Sequence, residues 1–494
     1  MVKQFLKFRI YLFLFFLVSL GIFLRFHNLP NLYIFGFDEE YQATYAMTLV
    51  KDIHPIWIGV SASFLDYYLG PYFTYFTSFW LWISSGDPLI TSYVAGITGV
   101  ATGVAVFFVG WKFFNLTTGI ISSLLYMGLP LIVFYDQKYW NPMFVQLIVL
   151  AMFASLILIK KSPWWWLLFT GAVGAIFETD LAPLPLVIIG IWLFLKGKYF
   201  LNKKLVLSCI VVFLLFYWPL LVFDFNHNWS NLTVLGRYNR QVKASGARFD
   251  PMSKTSSVLD TMGRFWYLEP GKSNAQELNI FCNLQRTYPS SWLTGLSVVL
   301  LIYFLYISFK SRKKELHLLT SFILVSLLFY ILYTGGSFEY YLHGFITLFT
   351  FVPAILISQV KGRSRGLFFL FIAVILILGL RTIINSSDRY SLGSKKVLIG
   401  KVMGIVKDES FAIDKMGTCH IYDGWRYLFK VYGRTPARSF TDQNFAWLYP
   451  EEVDNEPVTY NVIVSEYGVQ ADRDLTGYER IDEGGFSAYV KKIK

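Results

Sequence analysis

Apolar runs long enough to cross a bilayer recur along the whole 494-residue chain, and they constrain its fold more than any other feature. A membrane's hydrocarbon core is about 30 Å thick, so a crossing helix needs about 20 mostly apolar residues. Such runs, some of them short, stand at 10–24, 89–109, 116–134, 143–159, 164–177, 181–195, 205–223, 292–309, 318–333, 342–360 and 367–384. They predict a polytopic α-helical membrane protein with about 11 spans. Only 15% of residues are charged, against about 25% in soluble domains. The 19% aromatic content suits belts at the two membrane interfaces.

The loop charges order these runs. Lys3, Lys7 and Arg9 precede the first run, and no small-residue cleavage site follows it, which predicts an uncleaved anchor with a cytoplasmic N-terminus. Alternate loops then carry Lys112, Lys160 and Lys161, Lys196 to Lys204, Lys310 to Lys314, and Lys361 to Arg365. All of these fall on the N-terminal side if the aromatic stretch 64–83 does not cross. That stretch, broken by Asp66, Gly70 and Pro71, is therefore expected to form re-entrant or interfacial helices. The net charge of +12 follows from these clusters, and no nucleic-acid motif is present.

Residues 1–384 are expected to form the membrane domain, with a first outer loop at 26–88 and a large outer loop at 224–291. From 385 to 494 the composition turns polar. Strand-like stretches at 410–414, 458–465 and 486–490 and a helix near 425–432 predict a small extracytoplasmic α/β domain. The three cysteines, Cys209, Cys282 and Cys419, form no CxxC pair and suggest no metal or redox framework. Cys282 and Cys419 lie on the same expected side.

Acidic residues gather at the ends of spans on the side opposite the lysine clusters. The densest group is Gly36-Phe37-Asp38-Glu39-Glu40, just after the first run. Carboxylates beside a bilayer are costly, although Asp and Glu also favour a helix's first turn. Asp136-Gln137-Lys138-Tyr139-Trp140-Asn141-Pro142 joins two spans, and a simple turn with an interfacial Trp explains it equally well. Glu178-Thr179-Asp180 separates two short runs, and Glu339-Tyr340-Tyr341-Leu342-His343 opens a span. Arg237 stands in the large loop. A carboxylate such as Asp38 can take a proton from an attacking hydroxyl. Lys138, Arg237 or His343 can balance the charge of a departing phosphate.

An acidic pair in the first outer loop, Phe37-Asp38-Glu39, followed by interfacial helices and many spans, resembles the GT-C membrane glycosyltransferases. Within that class it is similar to the protein O-mannosyltransferases and the lipid A aminoarabinose transferase, the family 39 type. The resemblance implies inverting transfer of a sugar from a polyprenyl-phosphate donor to an acceptor hydroxyl on a lipid, glycan or protein, outside the cytoplasmic membrane. Asp38 would be the general base and Glu39 would assist binding. Glu40, Asp136, Lys138, Tyr139, Glu178, Asp180, Arg237, Tyr340, Tyr341 and His343 are the expected substrate-binding set. The resemblance implies no catalytic metal and no cofactor. Tyr41 departs from the family pattern, since some members carry a basic residue there. A transporter or flippase of a lipid-linked glycan, or a surface-polysaccharide polymerase or ligase, is the alternative. Transporters tend to place ionisable groups near the membrane midplane, whereas here the acids cluster at one face.

Overall fold

The computed structural model describes residues 2–62, 67–234, 236–237, 240, 250–268, 289–335, 338–417, 420–441, 443–449, 452 and 457–493. The chain begins with a long helix, α1 (Val2–Phe26), and the acidic motif opens the next, α2 (Phe37–Lys51). A two-stranded hairpin, β1 (Ser61–Ala62) with β2 (Tyr67–Tyr68), leads to α3 (Tyr72–Ile83). Asp66 lies outside the described residues. A helix of 12 residues rises only about 18 Å, too little to cross, so the first loop holds short helices as its composition predicts.

Among the described residues, eight helices are long and apolar enough to span: Lys7–Phe26, Leu89–Phe113, Asn141–Leu158, Lys203–Asn226, Ser291–Lys310, Lys314–Leu332, Glu339–Gln359 and Arg363–Asn385. The pair Leu116–Gly128 and Pro130–Gln137, bent by 61°, is together apolar enough to form a broken span or a re-entrant loop. The bend has a local cause, because Pro130 lacks an N–H and its ring clashes with the preceding turn. The other two predicted runs form shorter helices, Trp166–Thr179 and Val187–Lys196. The chain is a multi-pass membrane protein. In the apolar 18-residue stretch of Glu339–Gln359, 89% of the residues are buried, against 22% in that of Lys203–Asn226. Asn115 donates to Ser358, and Arg365 donates to Thr117. Two basic loops therefore meet at one end of the bundle.

At the other end sits a five-stranded sheet in the order β4-β3-β5-β7-β6. Its strands are β3 (Phe411–Met416), β4 (Arg438–Ser439), β5 (Tyr460–Glu466), β6 (Glu479–Glu483) and β7 (Phe486–Lys492). β3 runs parallel to β4 and β5, while β7 is antiparallel to β5 and β6. Three of these strands fall on the predicted stretches. β6 escaped prediction because Glu-Arg-Ile-Asp-Glu is an exposed, charged edge, the usual protection against sheet-to-sheet pairing. The Leu392–Val406 helix was not anticipated either. It packs beside Trp425–Tyr432 on the sheet, and their core continues into Tyr33, Phe35, Ala43, Ala46 and Leu81 of the first loop. Cys282 and Cys419 lie outside the described residues.

Candidate active site

Gly36 caps α2. Its N–H donates to Glu39 Oε2 at 3.1 Å, so the Glu39 side chain reaches back to the helix start as in one half of a capping box. This turns the Glu39 side chain inward, where it is 7% exposed. Burial raises its carboxyl above the usual range, and Lys138, with Nζ 3.7 Å from Oε1, pulls it back. Behind Glu39 the space is nearly filled. A cavity of about 10 Å³, lined by Tyr33, Gln42, Thr77 and Tyr139 among others, holds about one water molecule. Tyr139 stacks on Phe73 and its hydroxyl bonds Thr77 at 2.7 Å. Tyr139 is thus packed directly beneath the site.

Asp38 differs from its neighbours. It is exposed, and its carboxylate makes no side-chain hydrogen bond or ion pair among the described residues. It lies within electrostatic reach of Glu39 and of the Tyr340 hydroxyl, as does Asp180 of the latter. The Lys138 ammonium stands 4.2 Å from the centre of the Trp140 ring. Trp140 meets Tyr340 edge to face at 4.6 Å, and Tyr340 meets Tyr341 at 4.4 Å. His343 is 2% exposed, and neither ring nitrogen has a hydrogen-bond partner. Its ring lies against Tyr135 at 4.1 Å and within reach of the Lys138 charge. Asp38, Glu39, Lys138, Asp180, Tyr340, Tyr341 and His343 therefore share one neighbourhood.

Asp180 accepts the Ala182 N–H at 2.6 Å, and burial pushes its carboxyl up to about 6. Arg237 belongs to the segment after the Lys203–Asn226 helix, whose Val234 packs with Tyr67 of the hairpin, the adjacent Leu69, and Tyr41 and Tyr45 of α2. The segment flanks α2, and Leu181, next to Asp180, packs in the same cluster.

Three further expected substrate ligands are engaged in holding the protein together. Asp136 is buried in an ion pair with Arg25, with Oδ2 at 2.6 and 3.0 Å, and takes further bonds from Tyr126 and Gln146. Glu178 accepts the Tyr72 N–H at 2.8 Å and so caps the start of α3. Glu40 is fully buried, accepts the Tyr427 N–H at 2.8 Å, and lies 3.9 Å from Arg426. Desolvated carboxylates need partners, and each of the three has at least one within the protein, while Glu40 Oε2 and Glu178 Oε1 are buried with none among the described residues. One pair was missed. Glu339 takes bonds from Arg264 at 2.8 and 2.9 Å, and from Thr261 and Tyr135. Nothing in the sequence marked Arg264, 75 positions away.

The whole chain superposes on ArnT from Cupriavidus metallidurans bound to undecaprenyl phosphate. The TM-score is 0.63 at 11% identity, with 97% of each chain covered. The chain has the GT-C fold. The same architecture relates it to the oligosaccharyltransferase AglB from Archaeoglobus fulgidus, solved with an inhibitory peptide and a dolichol-phosphate. There the TM-score is 0.51 at 12% identity, covering 94% of this chain and 70% of that one. A second structure of the archaeal enzyme, tethered to an acceptor peptide, gives a TM-score of 0.54 at 14% identity over the same shares. No family model and no curated protein matches the sequence.

Proposed function

We propose that this GT-C protein transfers a sugar, with inversion, from a polyprenyl-phosphate donor to an acceptor hydroxyl at the end of the bundle that carries α2. One observation carries the reading. Glu40, Asp136, Glu178 and Glu339 are each bound by the protein, whereas Asp38 presents an exposed carboxylate with no partner among the described residues, beside a cluster of Lys138, Tyr340 and His343. The GT-C neighbours, solved with undecaprenyl phosphate and dolichol-phosphate, support a lipid-phosphate carrier.

In this reading the Asp38 carboxylate takes the acceptor's proton as its oxygen attacks the anomeric carbon. The bond from that carbon to the phosphate oxygen breaks on the opposite face. The polyprenyl phosphate leaves with the electron pair, and the sugar's configuration inverts. Lys138 offsets the growing phosphate charge, and Glu39 holds Lys138 in place. Asp180, Tyr340, Tyr341 and His343 line the sugar's surroundings. No divalent metal takes part. The loop charges orient the N-terminus to the cytoplasm and the C-terminal unit, residues 385–494, outside.

The test uses purified protein in liposomes with radiolabelled polyprenyl-phosphate sugars, a membrane extract as acceptor source, and a chelator present. Wild type should label an acceptor, and Asp38→Asn should not. Equal labelling by both proteins would refute the assignment of the base. Labelled lipid crossing the bilayer without any transfer would favour a flippase.

A further inference from the structure

The acidic motif is held from outside the membrane bundle. Residues 31–40 run along the C-terminal unit. Asp388 N–H donates to Asn31 O and Leu392 N–H to Tyr33 O, both at 2.7 Å. The Lys395 ammonium is fully buried and donates to three carbonyls: Phe35 O at 2.8 Å, Tyr422 O at 2.6 Å and Asp423 O at 2.5 Å. It also faces the Trp425 and Phe486 rings. On the far side of the motif, Arg426 is 1% exposed and reaches Glu40 and Thr44 of α2. Arg426 is itself held by Glu452 and lies over the Tyr449 ring at 3.5 Å. One buried cation thus grips the chain one residue before the Gly36 cap, and another grips it two residues after Asp38.

Burying two cations is expensive unless their geometry is needed or fully satisfied. Each ties the C-terminal unit to the stretch that aims Asp38, Lys395 at Phe35 and Arg426 at Glu40 and Thr44. We infer that Lys395 and Arg426 are positioning residues of the active site. They fix the start and pitch of α2, Lys395 through the Phe35 carbonyl and Arg426 through Glu40. The C-terminal unit is then a working part of the transferase, not a separate module docked beside it. The inference rests on the proposed role of Asp38, and a misplacement of about 1 Å costs a reaction about 100-fold.

The experiment uses the full chain in lipid nanodiscs, with Glu40→Ala, Arg426→Met and the double variant. Hydrogen–deuterium exchange is read over residues 33–45, and single-turnover transfer is read in parallel. If the contact positions the helix, each single variant raises exchange over 33–45, and the double variant raises it no further. The transfer step then falls about 100-fold, while the donor concentration at half-saturation stays nearly fixed. A purely stabilising contact would instead raise exchange across β5 and β7 as well, strands that neither variant touches. Unchanged exchange over 33–45 in Glu40→Ala, which removes no atom from the C-terminal unit, would overturn the inference. The exchange arm needs no activity, so a wild type that transfers nothing would remove the proposed function without deciding this one.

Discussion

At the scale of single residues, carboxylates of the same type carry opposite burdens. Asp38 adds little to the fold beyond its place in the first turn of α2, since it is exposed and its carboxylate has no partner among the described residues. Asp38→Asn should therefore leave the thermal midpoint within about a degree of wild type, as surface substitutions do, while transfer disappears. Asp136 has the reverse profile. Its carboxylate and the Arg25 guanidinium are 3% and 0% exposed at the side chain, 2.6 Å apart. Removing one member of a buried pair leaves an uncompensated charge and costs about 3–5 kcal/mol. Asp136→Ala should thus lower the yield of folded protein and its unfolding temperature. Whatever protein remains folded should still transfer at a normal rate per molecule. A stable Asp136→Ala protein that has lost only catalysis would place Asp136 in the substrate-binding set.

At the scale of elements, α2 is the part whose placement matters most, and Gly36 is where it can be tested. A Cβ on Gly36 would run into the carbonyl oxygen of Ile421 in the C-terminal unit. Its φ of −127° suits any residue, so closeness and not conformation demands glycine. Gly36→Ala should cost about 1–3 kcal/mol, as overpacking does, measured as a drop in unfolding temperature; an unchanged midpoint would mean the two segments separate freely. The sequence made the helix start visible, because a glycine and three acids after an apolar run read as a first turn. It also made the non-crossing nature of α3 visible, through the parity of the lysine loops. It left Glu40's partner invisible, since Tyr427 stands 387 positions away. Side chains with identical local signatures, Asp38 and Glu40, diverge because only tertiary packing decides which one is covered. The same holds for β6, whose charged edge carries no alternation to read.

At the scale of the whole molecule, the bundle and the C-terminal unit meet at a joint just past the Arg363–Asn385 helix, and Asp388 sits in it. Its N–H holds Asn31, its Oδ1 accepts the Tyr390 N–H at 2.8 Å, and its Oδ2 is buried without a partner. Burial pushes its carboxyl up to about 6, from an ordinary value near 4. The folded state therefore keeps this proton to a higher pH than the unfolded chain does. Below about pH 4 both states are protonated and nothing is lost. Between about pH 4 and 6 the unfolded chain releases its proton first, and the folded state loses up to about 3 kcal/mol of stability. Above about pH 6 the loss is constant. Asn at this position keeps the acceptor for Tyr390 and removes the buried charge. Asp388→Asn should thus raise the unfolding temperature at pH 7.5 and leave it nearly unchanged near pH 4, compared by thermal unfolding in detergent. An equal gain at both values would mean that packing, not ionisation, limits the joint. No gain at either would mean that water reaches Oδ2 and the joint is looser than its hydrogen bonds require.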